Sequence, residues 1–365
     1  MTDNCLEQLK SICYQRAYAL YGAEFFGGYK SRLDYEFDRI SSIPGGAEAF
    51  LKTREFIGKI KNLWKSQKNK RGSRFAGTKP RLTFRGPVLA GLAAYLCGIT
   101  EYDPVEWGFY AWTFFLKSKV MEFNLDVTIE MYDLIREYDL KVPSCVILRI
   151  DIDQSVLEEA EARGEMTRYN FQNSQKALQE IDGEIKNFFR EVMEKNTDEA
   201  LTYIWDENEQ MAADAVSVLT YLGEIDQLPE SLGELSRLNA FLHNTLREGT
   251  RLQMLQAIPE LYVYGSMIAY PEDVYETLAK EGCSREEAQR IAKIVQRAGR
   301  TLTMQEERLL EDYCGRTYAL LAAQTEHLFY KSQVFGKSMG VAELIRWYNH
   351  EPETLRTAYA WVTDR

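Results

Sequence analysis

A mainly helical protein carrying one small α/β element is what this chain predicts, on three observations. Apolar residues recur at helical spacing through most of its 365 residues. Two short runs break that pattern: Val120–Val127 alternates apolar and polar residues, and Ser144–Ile150 is rich in β-branched residues. At 45% hydrophobic and 12% aromatic, the chain can bury substantial cores, and its length suits two or three subdomains.

The elements follow in order. Cys5–Tyr21 has apolar positions at Leu6, Leu9, Ile12 and Cys13 and predicts a helix; Tyr29–Ile40 predicts a second through Leu33, Phe37 and Ile40. The loop signal Ser41-Ser42-Ile43-Pro44-Gly45-Gly46 separates these from a third helix reaching about Trp64. A polar linker, Ser66–Pro80, leads to a short strand at Arg81–Phe84 and then to a glycine-punctuated turn, Arg85-Gly86-Pro87-Val88-Leu89-Ala90-Gly91, before an apolar helix. The alternating run places Glu122, Asn124 and Asp126 on one face of a strand. A helix at Ile129–Tyr138, the strand Ser144–Ile150 and a helix at Gln154–Arg163 complete the α/β element.

Beyond it, helical spacing covers Asn173–Lys195, Asp214–Leu222, Leu235–Leu246, Pro271–Glu281, Arg285–Ala298 and Thr303–Ala323. Ser284 followed by Glu286 and Glu287 reads as an N-cap with early acids. Lys337–Thr363 reads as two helices broken at Asn349-His350-Glu351-Pro352.

Composition limits the chemistry. No window approaches eighteen consecutive apolar residues and the N-terminus lacks the basic and apolar segments of a secretory signal, so the expectation is a cytoplasmic chain that does not span a membrane. Six scattered cysteines and three histidines, with no C-x-x-C pair, argue against a structural zinc site or a disulfide framework. No glycine-rich loop ends in Gly-Lys-Ser/Thr, which excludes a complete Walker A loop.

Net charge is −11, yet Phe56–Thr100 holds ten cations and no acid. Within it Lys65, Lys68, Lys70, Arg71 and Arg74 are the candidate nucleic-acid contacts; a solvated lysine-rich loop is the other reading. The turn at Gly86–Gly91 also has two readings. Its backbone N–H groups and Arg85 can face a phosphate, or Gly86, Ala90, Gly91 and Ala94 can mark close helix packing.

The succession of these segments resembles the C-family DNA polymerases, the α subunit of bacterial DNA polymerase III, in its PolC type. Tyr21-Gly22 and Arg32-Leu33-Asp34-Tyr35-Glu36-Phe37 are similar to the segment preceding that family's phosphate loop, and Arg85-Gly86 followed by Ile99-Thr100-Glu101-Tyr102-Asp103-Pro104 is similar to the loop itself. Met121-Glu122-Phe123-Asn124-Leu125-Asp126 resembles its Pro-Asp-x-Asp-x-Asp metal strand. Leu232–Thr245, Val274–Thr303 and His327–Ala360 resemble stretches of its fingers.

The resemblance implies a palm-like domain at residues 1–165, a shortened connection at 166–230 and a helical fingers-like domain at 231–365. It implies Arg85, Gly86, Lys331, Arg297 and Arg300 at a nucleotide's phosphates, and Asp126, Asn124 and Glu122 on the catalytic strand. Mg²⁺ would be held by Asp126, with Asp206 as counterpart of the later aspartate. Asn124 stands where the family has a carboxylate and Pro87 where it has serine, so the implied protein is catalytically impaired, with DNA or replisome proteins as partners; an active minimal polymerase and a helical interaction scaffold with no nucleic-acid role are the other readings.

Overall fold

The computed structural model describes residues 2–23, 27–73, 75, 82–115, 120–150, 175–195, 198–205, 209–243, 245–246, 251–257, 268–296, 303–305, 308, 312 and 325–350. The predicted helix Gln154–Arg163, most of Thr303–Ala323 and everything after 350 lie outside these residues. The chain divides into two compact units, Met1–Asn173 with Ala360–Arg365, and Ser174–Tyr359. The architecture is mainly helical with a small sheet, as predicted.

The first unit opens with α1 (Thr2–Tyr21), α2 (Gly28–Ser41) and α3 (Gly46–Lys68). α2 buries the predicted Leu33, Phe37 and Ile40; of the predicted α1 positions Leu9 and Cys13 are buried and Leu6 and Ile12 only partly so, and α3 buries Phe50, Ile57, Ile60 and Trp64. α3 runs through Ser66 to Lys68, so the expected linker starts later than its polarity suggested; Trp64 and Gln67 are buried and carry the helix on.

β1 (Leu82–Arg85) is followed by a 3₁₀ turn at Pro87–Ala90, α4 (Leu92–Leu96), α5 (Ala111–Phe114), β2 (Phe123–Val127), α6 (Ile129–Glu137) and β3 (Val146–Ile150). The sheet order is β1-β2-β3, with β1 antiparallel and β3 parallel to β2. α6 is the crossover between the parallel strands, and Thr128 caps it by accepting from the Met131 N–H. One face of the sheet is apolar. Phe123, fully buried, meets Phe50 of α3 edge-on at 5.1 Å and Phe84 of β1 at 6.3 Å.

The second unit is built on α7 (Gln175–Lys195), α8 (Asp198–Trp205), α9 (Glu209–Glu224), α10 (Leu232–His243), α11 (Arg251–Ala257), α12 (Pro271–Lys280), α13 (Arg285–Val295) and α14 (Lys331–His350). Thr245-Leu246, expected to end a helix, instead forms β4, paired with β5 (Thr325–His327). α7 buries Ile181, Ile185, Phe188, Phe189 and Val192. Its Phe188 meets Tyr348 of α14 at 5.3 Å, and its Glu184 accepts from Asn349 at 2.7 Å and pairs with His350 at 2.6 Å. Residues 175–224 are part of this second compact unit.

Several buried polar groups in this unit are paired across helices. Trp205 donates to Asn239 at 2.9 Å, Asn239 donates to Ser338 at 3.1 Å, and Ser236 and Tyr270 share a 2.7 Å bond. Ser284 caps α13 through the Glu287 N–H, as its position before two acids predicts.

Candidate functional site

The polar face of the three-stranded sheet carries the residues that matter most. Register places Arg85 opposite Asn124 and Thr83 opposite Asp126, while Asp126 stands beside Arg149 of β3. Side chains alternate across a strand, so Thr83, Arg85, Asn124, Asp126, Ile147 and Arg149 share one face. Asp126 is buried at 5% exposure and accepts a charge-assisted contact from Arg85, Nε to Oδ2 at 2.8 Å. Arg85 lies diagonally across the antiparallel pair from Asp126, the spacing at which long side chains still meet. Its side chain is 46% exposed, so one edge of the guanidinium is anchored and the rest is near solvent.

This arrangement bears on the Mg²⁺ site that the resemblance implies. Two divalent cations need several anionic oxygens converging on one point. Here Asp126 has an arginine against its carboxylate, Asn124 is neutral, and Glu122 is exposed and precedes β2. Among the described residues no group of three or more His, Cys, Asp or Glu could hold a metal ion. Asp206 lies outside the described residues, and the Leu201–Trp205 run before it is helical in α8 rather than a palm strand. Among the described residues, the cation found at Asp126 is Arg85.

The turn after β1 departs from the phosphate-loop expectation for a related reason. Gly86 takes φ +82°, a left-handed conformation that turns the chain at low cost only for glycine. Beyond it the Leu89 and Gly91 N–H groups donate back to Gly86 and Val88, and Pro87 has none. At the start of α4 the Leu92 and Ala93 N–H groups donate at 2.9 and 2.8 Å to Glu36, fully buried on α2. Burial pushes the Glu36 carboxyl up, against the opposing pull of Arg32 and the two N–H donors. An internal carboxylate thus fills the position a phosphate would take at this helix N-terminus.

Arg32 locks the same corner, pairing with Glu36 at 3.2 Å and donating to the Ala90 carbonyl at 2.6 Å and to that of Phe109. Gly91 is the packing glycine of the turn: an added Cβ would meet Phe114 at 3.0 Å. Asp103, 1% exposed, accepts from the Tyr21 hydroxyl and from the Val105 N–H at 2.9 Å. Arg32 and Glu36 thus build a structural clamp on the start of α4, and Tyr21 and Asp103 make a separate structural contact.

The remaining candidates separate. Lys65, Lys70 and Arg71 are exposed, and Lys68 is half-buried with its ammonium 4.6 Å over the Trp64 ring. Arg74, Arg297 and Arg300 lie outside the described residues. Lys331, in the second unit, begins α14, where its N–H donates to Glu272 at 3.0 Å.

The roles of two charged residues were not read from the sequence. Arg149 is the single charge within Val-Ile-Leu-Arg-Ile, and Glu36 sits on the apolar stripe Leu33, Phe37 and Ile40; a charge inside an apolar pattern was the available signal. Comparison with protein-family models gives no match, and no curated protein matches the chain.

Proposed function

We propose that this chain is a reduced relative of the C-family polymerase α subunit that binds nucleic acid without catalysing nucleotidyl transfer. The observation that carries this reading is the Arg85–Asp126 ion pair on the strands that resemble the family's metal strand and phosphate loop. Asp126 holds Arg85 by Nε, which orients the guanidinium while its outer donors remain suited to a phosphate oxygen. Arg149 adds a second cation on that face. Phosphate recognition here is direct and needs no divalent ion. The net charge of −11 favours a second reading, a replisome protein as partner rather than DNA.

The test is primer extension on a primed template with Mg²⁺ and then Mn²⁺, using wild type and Asp126→Ala, alongside fluorescence anisotropy of a labelled oligonucleotide. The expected result is no extension by either protein and oligonucleotide binding that survives EDTA. Extension by wild type that Asp126→Ala abolishes would overturn the proposal in favour of an active minimal polymerase.

A further inference from the structure

The charges of α3 fall into two stripes. One alternates in sign and is internally neutralised: Lys52 pairs with Glu48 at 2.7 Å and Lys59 with Glu55 at 2.6 Å. The other carries only cations. Arg54, Lys61, Lys65 and Lys68 recur at helical spacing with Gly58 between the first two, beside the buried seam of Ile57, Ile60 and Trp64. At 1.5 Å per residue this stripe runs for about 21 Å.

Its first half borders an open groove of about 610 Å³ between α1 and α3, closed at one end by Cys97 and Gly98. Arg16 of α1 lines the opposite wall, its guanidinium 5.9 Å from the Tyr95 ring. Arg54 is held by the Cys97 carbonyl at 2.7 Å. Glu48, Lys52 and Glu55 also line the groove, the two carboxylates engaged by Lys52 and Lys59 respectively. A Cβ at Gly58 would meet nothing within 4 Å, so that part of the stripe is open.

We propose that the groove and the stripe beyond it bind the sugar–phosphate backbone of a single nucleic-acid strand. A row of unopposed cations tracks a polyanion whose charges repeat about every 3.4 Å per strand. The groove lies between α1 and α3, so its cations line one strand-sized channel rather than two parallel rows. The inference deepens the nucleic-acid reading above by naming the partner's form, and it uses none of the residues on the palm-like sheet.

The experiment measures the salt dependence of anisotropy for a labelled single-stranded oligonucleotide with wild type, Lys61→Gln/Lys65→Gln/Lys68→Gln, Lys30→Gln/Lys59→Gln and Arg85→Ala. For a single strand each phosphate contact contributes about 0.7 to the slope of log K against log salt, so the triple variant is expected to flatten it by about 2. The Lys30/Lys59 variant removes two lysines outside the groove lining, each paired with a carboxylate, and is expected to leave the slope within about 0.7 of wild type. Equal flattening per lysine in both, or none in the triple variant, overturns the groove; so does poly-L-glutamate competing as well as the oligonucleotide, which would mark an acidic protein as partner. If Arg85→Ala abolishes binding while the triple variant keeps its slope, the groove fails and the sheet reading stands; the reverse result separates them the other way.

Discussion

Replacing Glu36 by alanine is the sharpest test of how the first unit is held together. The side chain is fully buried and accepts from three donors: Leu92 N–H at 2.9 Å, Ala93 N–H at 2.8 Å and Arg32 Nε at 3.2 Å. Alanine leaves the two N–H groups opening α4 without an acceptor and Arg32 without its counter-ion. Orphaning one member of a buried pair costs about 3–5 kcal/mol, far more than the pair contributes relative to an apolar replacement. That asymmetry agrees with the raised titration of Glu36: its donors do not fully offset the desolvation of its charge, yet they depend on it. The assay is urea unfolding followed by circular dichroism, comparing Glu36→Ala with wild type at equal slope. A loss of about 3 kcal/mol or more is expected, and Arg32→Met combined with Glu36→Leu should recover part of it. A loss under about 1 kcal/mol, within the range of a surface change, would refute the clamp.

Two further outcomes concern stability. Glu272 is 2% exposed and burial pushes its carboxyl up from 4.5 to about 8, opposed by Lys331 and its N–H and reinforced by Asp273. The folded state therefore holds a proton the unfolded chain releases, so the stability linked to this group is complete below about pH 4.5 and is lost as pH rises through 8. Glu272→Gln is expected to melt at a higher temperature than wild type at pH 8 and at nearly the same temperature at pH 4.5; parallel Tm profiles would dismiss the role of Glu272. Phe123→Ala removes the ring at the centre of the Phe50 and Phe84 contacts and is expected to cost about 3–5 kcal/mol in urea unfolding. A cost near zero would mean that the sheet is held by something other than this aromatic cluster.

Much of the secondary structure was legible because its signal is local. The apolar stripes of α1, α2 and α3 and the alternation through Phe123–Val127 report burial one face at a time, and the structure buries those faces. Element ends were less legible: α14 starts at Lys331 rather than Lys337, where Tyr330 and Ser332 are buried, and β4 interrupts what composition reads as helix because its partner β5 lies about eighty residues away. The site was legible only as a set of residue types. Arg85 and Asp126 were singled out separately, one for a phosphate and one for a metal, because their diagonal juxtaposition arises from pairing β1 with β2.

By itself the amino-acid order determined the mainly helical class, the small α/β element, the acid-free basic segment and the alternation that puts Asn124 and Asp126 on one strand face, since each depends on residues within a few positions of one another. Tertiary structure decided what those groups do. It brought Arg85 onto Asp126, where a divalent cation would need open carboxylates, and it set Glu36 on the N–H groups of Leu92 and Ala93, where a phosphate would need open donors. A charge's partner is fixed by distance in space, and the partners here are 41 and more than 50 residues apart along the chain.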